Sequence, residues 1–275
     1  MRRIHDSRER LIVTTGATSS ALPLAAWIWF VQMLAYHGIG LWFEWLDRTG
    51  ALARFKTRPV ERMSYVELLP RVLANQIFVL LPAMLLTQWA GLAFVGPAHV
   101  SLATAPIIVI GLTVGHDAVQ YVAHRFVLHR PDMMRRLGHA LHHTTTGSRA
   151  VSACYMSYMD FFLEIACPYL IPLVLVGGAG SNFIFHSMIV SAGAFGGLYE
   201  HSGYDFGRLL RERKDDRLLA TLGKLLSAEA HAAHHSRGNV SFSDGFGSSN
   251  LCDTLFRTRW DLVPQRLKRE SSPIA

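Results

Sequence analysis

The chain has 275 residues, of which 50% are apolar and 17% are charged, and its formal net charge is +7. Soluble domains usually carry about a quarter charged residues, so this composition excludes an ordinary soluble domain and predicts a membrane protein. The basic residues flank long apolar segments, which favours an anionic membrane surface over nucleic acid as the partner of the positive charge.

Five apolar segments come close to the roughly 20 residues that a helix needs to cross a bilayer. They cover residues 21–46, 72–95, 98–122, 158–177 and 179–200. Because short turns at Gly96–Pro97 and at residues 177–180 join the last four segments in pairs, each pair is predicted to form a helical hairpin. In the first segment, Gly38 and Gly40 permit either a single crossing or a re-entrant helix. We therefore predict an all-α integral membrane protein with four or five transmembrane helices.

The hairpins also predict where the polar parts of the chain lie. A hairpin returns the chain to the side that it left, so residues 47–71, 123–157 and 201–275 are expected on one face. All three stretches are rich in Arg and Lys, and the positive-inside rule makes that face cytoplasmic. We expect the membrane helices to carry a cytoplasmic helical cap there.

Histidine is the residue that carries a chemical pattern, because nine of the 14 histidines fall into spaced motifs. The motif H-x-x-H-H occurs twice, an H-x4-H precedes it, and one further histidine follows the last apolar segment: His139, His142 and His143; His231, His234 and His235; His124 and His129; His201. Positions i, i+3 and i+4 share one face of a helix, so each triplet is expected to aim three imidazoles at one volume. Neutral imidazole binds iron, zinc and copper. Nine imidazoles exceed the needs of one ion and predict two.

The spacing of His124 and His129 needs a separate explanation. Five residues turn an ideal helix by about 500°, which leaves the two side chains about 140° apart. They can meet one ion only at a helix end or a distorted turn, which Pro131 just downstream would favour; otherwise each serves a different ion. His116, Asp117 and Glu200 lie near the motifs and are candidate hydrogen-bond partners of the ligand imidazoles.

Other metal motifs are missing from the sequence. It contains no Glu-x-x-His pair of the ferritin type and no H-E-x-x-H of a zinc protease. The cysteines Cys154, Cys167 and Cys252 show no C-x-x-C spacing, so they predict neither a zinc ribbon nor a disulfide framework.

In this order, "DAVQYVAHRFVLH", "HALHH" and "HAAHH" resemble the fatty acid hydroxylase and sterol desaturase superfamily of membrane non-haem di-iron enzymes, over residues 110 to 260. The resemblance implies that nine histidines are metal ligands: His124, His129, His139, His142, His143, His201, His231, His234 and His235. The stretch "EHSGYDF" (200–206) looks like the H-S-G-Y-[DE] stretch of the 4-methylsterol monooxygenases. By this motif, these enzymes are the nearest members of the superfamily. The stretch "NLCDTLFRT" (250–258) looks like the W-D-x-L-F-G-T ending of the superfamily, with Cys252 and Arg257 as departures.

What the resemblance implies about the domain and its chemistry can be stated as expectations. Residues 1–275 would form a single domain, with a membrane anchor part over 1–100 and a catalytic part over 101–265. The cofactors would be two iron ions, which zinc could replace in purified protein, and O2. Electrons would come from NAD(P)H through a separate ferredoxin or cytochrome b5-like donor and its reductase, for which Arg208, Arg211, Arg213 and Lys214 form a basic cluster that could instead face anionic lipid.

Three functions are compatible with these expectations. The first is hydroxylation, or methyl oxidation, of a sterol-like or other lipid, with a place in lipid metabolism and sterol biosynthesis. The second is lipid desaturation at the same di-iron site. The third is a non-enzymatic membrane protein that binds or transports metal, which the position of the histidines near one end of their spans disfavours.

Overall fold

The computed structural model describes residues 22–213, 215–243 and 250–263. Regular structure in these ranges is helical, and the one extended contact recorded there is an isolated antiparallel bridge between Lys56 and Tyr204. Four helices are long and apolar enough to cross a membrane: Leu24–Thr49, Tyr65–Trp89, Ala105–Leu128 and Tyr158–Leu175. The prediction of an all-α membrane protein with four or five spans is confirmed, with four.

The first span is one continuous helix, α1 (Leu24–Thr49). It begins after Pro23 and ends at Gly50, whose φ of 67° is readily adopted only by glycine. At 1.5 Å per residue its 26 residues extend about 39 Å, which exceeds the thickness of a bilayer core. Gly38 and Gly40 lie inside the helix without interrupting it, so the structure favours a single crossing over a re-entrant segment.

Each of the other three spans contains one wider π turn. Their parts are α2 (Tyr65–Asn75), a π turn (Gln76–Leu80) and α3 (Leu81–Trp89); α4 (Ala105–Ala123) and a π turn (His124–Leu128); α7 (Tyr158–Phe161), a π turn (Phe162–Ala166) and α8 (Cys167–Leu175). Pro82 and Pro168 lie close behind two of these turns and lack the N–H that a regular helix requires. A π turn shifts the side chains that follow it around the helix axis. The turn at His124–Leu128 therefore changes the direction in which His129 points.

The fifth predicted segment forms α9 (Phe183–Glu200), which packs along α1. Its 18 residues include His186, Ser187 and several glycines, and it is not among the four helices that are apolar enough to cross a membrane. The two helices are in contact at Gly40 of α1, where a Cβ would lie at an ordinary contact distance of 3.7 Å from the side chain of Leu198.

The two hairpin turns meet at one end of the bundle. The Ser181 N–H donates to the Pro97 carbonyl (3.1 Å) and the Ser181 hydroxyl donates to the Gly96 carbonyl (2.8 Å). The three polar stretches meet at the other end, where Lys56 Nζ donates to the carbonyls of Ser148 (3.0 Å) and Ser202 (2.7 Å). The polar stretches therefore share one end of the bundle, as expected; that this end is cytoplasmic stays a prediction.

Short helices build the polar end. They are α5 (Pro131–Arg136), α6 (His139–His142), α10 (Gly207–Arg211), α11 (Arg217–Leu225), α12 (Glu229–Arg237) and α13 (Leu251–Leu255), with 3₁₀ turns at Ala53–Phe55 and Ala150–Cys154. They hold the histidine motifs against the ends of the long helices. The division into an anchor part over 1–100 and a catalytic part over 101–265 stays a prediction.

Candidate metal centre

All nine histidines of the motifs converge at the polar end of the bundle, in two adjacent groups. The first group contains His124, His129, His139, His143 and His234, and the second contains His142, His201, His231 and His235. Within each group the nitrogen atoms that could bind a metal lie within 4.8 Å of one another. The structure thus brings together side chains that are more than 100 residues apart in the sequence.

The two H-x-x-H-H triplets contribute to the groups in opposite ways. In the first triplet, the outer pair His139 and His143 joins the first group and His142 joins the second. In the second triplet, the outer pair His231 and His235 joins the second group, and His234 joins the first. Around a helix axis, position i+4 is rotated from position i by about 40° in one direction, and position i+3 is rotated by about 60° in the opposite direction. The expectation that each triplet aims at one volume is therefore wrong: each triplet bridges two.

A π turn brings His124 and His129 into the same group. The N–H of His129 donates to the carbonyl of His124 at 2.9 Å, five residues back, where a regular helix would bond four residues back. Residues five apart therefore stand above one another, and the ring centroids of the two histidines are 4.8 Å apart. The distorted turn at the helix end, one of the two alternatives that the spacing left open, is the one observed.

The ring nitrogens face each other at uniform short distances. In the first group, His139 Nε2 lies 3.2 Å from His124 Nε2, 3.1 Å from His129 Nε2 and 3.0 Å from His143 Nε2. In the second, His201 Nε2 lies 2.9 Å from His231 Nε2. Imidazole nitrogens that bind one ion at about 2.1 Å, at right angles to each other, are about 3.0 Å apart. The observed spacing fits nitrogens arranged around shared ions.

The opposite ring nitrogens fix the tautomers. Nδ1 of His124 and of His234 each lie 2.7 Å from a backbone carbonyl, those of Phe242 and Val240 respectively. Nδ1 of His201 lies 2.9 Å from the Gly197 carbonyl. Since a carbonyl only accepts, these Nδ1 atoms carry the proton and their Nε2 atoms present lone pairs to the centre. Neutral imidazole with a free Nε2 lone pair is the form that binds iron, zinc and copper, so the donor set fits a transition-metal pair.

Burial keeps the imidazoles outside the spans neutral. Removal from water lowers the pKa of His201 to about 4 and that of His234 to about 3. Burial also lowers the pKa of His143 to about 2, with repulsion from neighbouring imidazoles as the next cause. The pKa of His142 and of His231 is lowered for the same two reasons, in the same order. These side chains need not lose a proton at neutral pH before they bind a metal.

Two carboxylates from the fourth span support the first group. Asp160 Oδ1 accepts from His139 Nδ1 at 2.9 Å, and Glu164 Oε2 lies 3.3 Å from the same nitrogen. Both acids are buried, and Ser157 caps their helix by accepting from the Asp160 N–H. Neither acid is among the partner residues that the sequence predicted. The signal available was the i, i+4 spacing of two acids in an apolar segment, which places them on one helix face.

A third carboxylate, missed as a site residue, acts through the backbone. Asp253 accepts from the N–H groups of Phe242 (3.0 Å) and Ser243 (2.6 Å) and from the hydroxyl of Thr258 (2.6 Å). It thereby holds the segment whose Phe242 carbonyl orients His124. Asp253 belongs to the "NLCDTLFRT" stretch, so that motif fastens the segment behind the metal centre.

The three predicted partner residues lie beside the centre in different roles. The Asp117 carboxylate accepts from the backbone N–H groups of Leu251 (2.8 Å) and Cys252 (3.0 Å), which fixes the start of α13 against α4. His116 and Glu200 line a cavity that reaches the centre, and the Glu200 carbonyl accepts from Arg58 at 2.9 Å. A hydrogen bond from these three side chains to a ligand imidazole stays a prediction.

That cavity has a volume of about 310 Å³ and lies between α1, α4, α8 and α9. Its wall includes Glu164, whose carboxylate contacts His139, together with His201 and His231 of the second histidine group. Most of the remaining wall is apolar, with side chains such as Leu112 and Val190. A small molecule bound there would have its inner end beside the histidines and its body among the membrane helices.

Comparison with known families identifies the matching stretch. A family model described as fatty acid hydroxylase matches residues 109–258, which is more than half of the chain. Searches of curated proteins and of solved structures give no significant match. The matched range contains all nine imidazoles together with Asp160, Glu164 and Asp253, and it agrees with the superfamily resemblance of the motifs.

Proposed function

The chain belongs to the fatty acid hydroxylase family, and on that premise we propose that it is a membrane-bound, O2-dependent oxidoreductase that hydroxylates a lipid, or oxidises one of its methyl groups, at a di-iron centre. The observation that supports this best is the arrangement of nine imidazoles in one group of five and one of four, because two members of the second group, His201 and His231, line a mostly apolar cavity. The family is known for iron, and this donor set suits it.

The protein's own part in the reaction is to orient the metal-binding imidazoles and to hold and enclose the lipid substrate. The Nδ1 hydrogen bonds of His124, His201 and His234 fix three rings with Nε2 toward the centre. The cavity walls position a lipid with its reacting carbon beside His201 and His231 and keep water away from it. Bound iron would supply the activation of O2 that breaks an unactivated C–H bond, chemistry that side chains alone do not provide.

A sterol-like substrate is part of the proposal, and it depends on the "EHSGYDF" stretch. In the structure, His201 of this stretch belongs to the second histidine group. The Ser202 hydroxyl donates to the Tyr199 carbonyl (2.6 Å), and the Asp205 carboxylate accepts from Arg211. These contacts shape the turn after α9. The apolar cavity supports lipids as the substrate class, and sterols and other polycyclic lipids are the first candidates to test.

We also propose that a separate ferredoxin or cytochrome b5-like protein, reduced by NAD(P)H through a reductase, supplies the electrons. The sequence contains no His-Pro-Gly-Gly haem motif, no four-cysteine spacing and no G-x-G-x-x-G. Of the proposed basic cluster, Arg208 pairs with Glu212 (2.8 Å) and Arg211 pairs with Asp205 and Glu229, while Lys214 lies outside the described residues. Partial neutralisation makes this cluster a weaker docking surface for an acidic donor than the sequence suggested.

The decisive experiment is lipid analysis by mass spectrometry of cells grown under ¹⁸O2, with and without the chain, alongside the variant His234→Ala. We expect a lipid that has gained one ¹⁸O atom with the native chain and not with the variant. A new double bond without oxygen would instead establish a desaturase. Unchanged lipids in cells whose purified chain binds fewer than two metals would favour the metal-binding or transport alternative.

A further inference from the structure

Four polar atoms in the wall of the cavity are buried without a hydrogen-bond partner in the described part of the chain. They are Gln32 Oε1, His116 Nδ1, Gln120 Oε1 and the hydroxyl of Tyr169. We call these four residues the polar section of the cavity. Glu164 also lines the cavity, but its carboxylate contacts His139 and is part of the metal centre.

The polar section is assembled from three different helices. Gln32 belongs to α1, His116 and Gln120 belong to α4, and Tyr169 belongs to α8. Helices α4 and α8 pack closely, since a Cβ at Gly115 would lie 2.7 Å from Pro172. Unpaired polar atoms on three separate helices therefore line one cavity, and this points to a ligand in that cavity.

A buried polar atom without a hydrogen-bond partner costs free energy in a membrane-spanning helix. A buried donor or acceptor without a partner loses the hydrogen bonds that it made with water, and a bilayer offers no water in exchange. Polar residues in spans usually face a cavity and bind something there. A pure hydrocarbon ligand would leave all four atoms unpaired, so it does not explain them.

The distance of the polar section from the histidines can be read along α4. Gln120 lies one turn before His124, and His116 lies two turns before it, about 12 Å along the helix axis. All three are spaced by four residues and therefore share one face. A ligand that bonds to the polar section thus places its polar group one to two helical turns from the metal centre.

The chemistry of the four atoms selects the polar group. A glutamine Oε1 needs a donor, whereas the tyrosine hydroxyl and the histidine Nδ1 can donate or accept. A glutamine amide turned the other way would still leave one of its atoms unpaired. Among the described residues that line the cavity there is no lysine or arginine, so an ionised carboxylate or phosphate would be buried without a countercharge. A hydroxyl group both donates and accepts and carries no charge.

We propose that the cavity binds a lipid that already carries a hydroxyl group, and that this hydroxyl bonds within the polar section, donating its one hydrogen to a glutamine Oε1 and accepting from the Tyr169 hydroxyl or from His116 Nδ1, while another carbon of the lipid lies at the histidines. The inference rests on the proposed function in one respect, namely that the ligand is the substrate. It adds that the substrate is a lipid alcohol and that the hydroxyl sets which carbon reaches the metal centre. The reaction that supplies this substrate must therefore leave or introduce an alcohol.

The test is a binding measurement on the iron-loaded full chain in lipid nanodiscs, without an electron donor, so that no turnover occurs. The probes are two matched pairs, dodecan-1-ol with dodecane and cholesterol with cholest-5-ene, each quantified by mass spectrometry of the retained ligand. We expect the native chain to bind the alcohol of at least one pair about tenfold more tightly than its hydrocarbon. The double variant Gln120→Leu with Tyr169→Phe should bring that ratio close to one.

The matched control is Thr113→Val, which changes a hydroxyl in the same cavity wall that already donates to the Val109 carbonyl at 2.9 Å. It should keep the preference for the alcohol. The single variant Tyr169→Phe removes one oxygen atom and serves if the double variant does not fold; it should lower the ratio partway. Helix content and iron content identify folded samples.

Equal binding of alcohol and hydrocarbon by the native chain in both pairs would overturn the inference and would mean that water occupies the polar section. The same would follow if the variants left an existing preference unchanged. The outcome is independent of the oxygenation experiment. A preference for the alcohol without ¹⁸O incorporation in cells would refute the proposed function and leave only the hydroxyl-binding site in the cavity, whereas ¹⁸O incorporation without a preference would refute this inference alone.

Discussion

His124 Nε2 and His139 Nε2 face each other at 3.2 Å, although each ring already bonds to an acceptor through Nδ1. The acceptors are the Phe242 carbonyl, at 2.7 Å, and the Asp160 carboxylate, at 2.9 Å. With the protons on Nδ1, no hydrogen is left to place between the two Nε2 atoms. Two lone pairs at this distance repel each other unless a cation lies between them.

Removal of metal should therefore destabilise the protein. Metal that binds the folded state at 100 times its Kd contributes about 2.7 kcal/mol to the free energy of unfolding, and each kcal/mol corresponds to about 2–4 °C in Tm for a chain of this size. We expect chelation to lower Tm by at least about 5 °C, and ferrous iron to restore it. The measurement is thermal unfolding in detergent, followed by circular dichroism. An unchanged Tm would mean that the rings stabilise one another without metal.

The division of the histidines predicts selective loss of one ion. His142 contributes to the second group, whereas its triplet neighbours His139 and His143 contribute to the first. His142→Ala should therefore reduce bound iron from about two ions to about one per chain, and the ion of the first group should remain. Metal analysis of the purified chain measures this. The control His186→Asn changes a buried histidine bonded to the Gly180 carbonyl, and it should keep both ions; loss of both ions from His142→Ala alone would contradict the division.

Much of the fold could be predicted from local patterns. Apolar length gave the four spans, and the Gly-Pro and Gly-rich turns gave the hairpins, because both signals are contained in a single stretch of chain. The histidine set followed from spacing and from the family resemblance. Whether the fifth segment spans the membrane could not be predicted in this way, because α9 is only moderately apolar and packs along α1.

The parts that the sequence left open or missed depend on a local distortion of one helix or on contacts between distant stretches. The π turn at His124–Leu128 changes which face His129 occupies, and 3.6-residue periodicity assumes that such turns are absent. The polar section combines Gln32 with Tyr169, 137 positions later, so no motif could show it. The contact of the Phe242 carbonyl with His124 could not be predicted from the sequence either, because every residue has a backbone carbonyl.

The support behind His124 can be tested through Asp253, which holds the N–H groups of Phe242 and Ser243. Asp253→Ala should release this segment, misorient the Phe242 carbonyl and lower iron affinity about 10–100-fold, as loss of such supporting contacts typically does. Iron affinity is measured by competition with a chelator. Glu212→Gln is the control, because Glu212 is an exposed acid whose recorded ion pair is with Arg208; an equal loss in both variants would contradict the role of Asp253.

The first histidine triplet depends on the glycine that precedes it. Gly138 has a φ of 77°, and a Cβ there would lie 2.6 Å from the Cβ of Ser157. Gly138→Ala therefore adds both backbone strain and a steric clash. Relief of the clash would move Ser157, which caps the helix of Asp160, and so would turn His139 away from its group. We expect a loss of about 1–3 kcal/mol in the free energy of unfolding, together with reduced iron occupancy.

Gly38→Ala is the matched control, because Gly38 lies inside α1 and a Cβ there meets nothing within 4 Å. That change should keep the iron and leave stability equal or raise it by up to about 1 kcal/mol. If Gly138→Ala bound iron as the native chain does, the loop at Gly138 would not be what positions the first triplet.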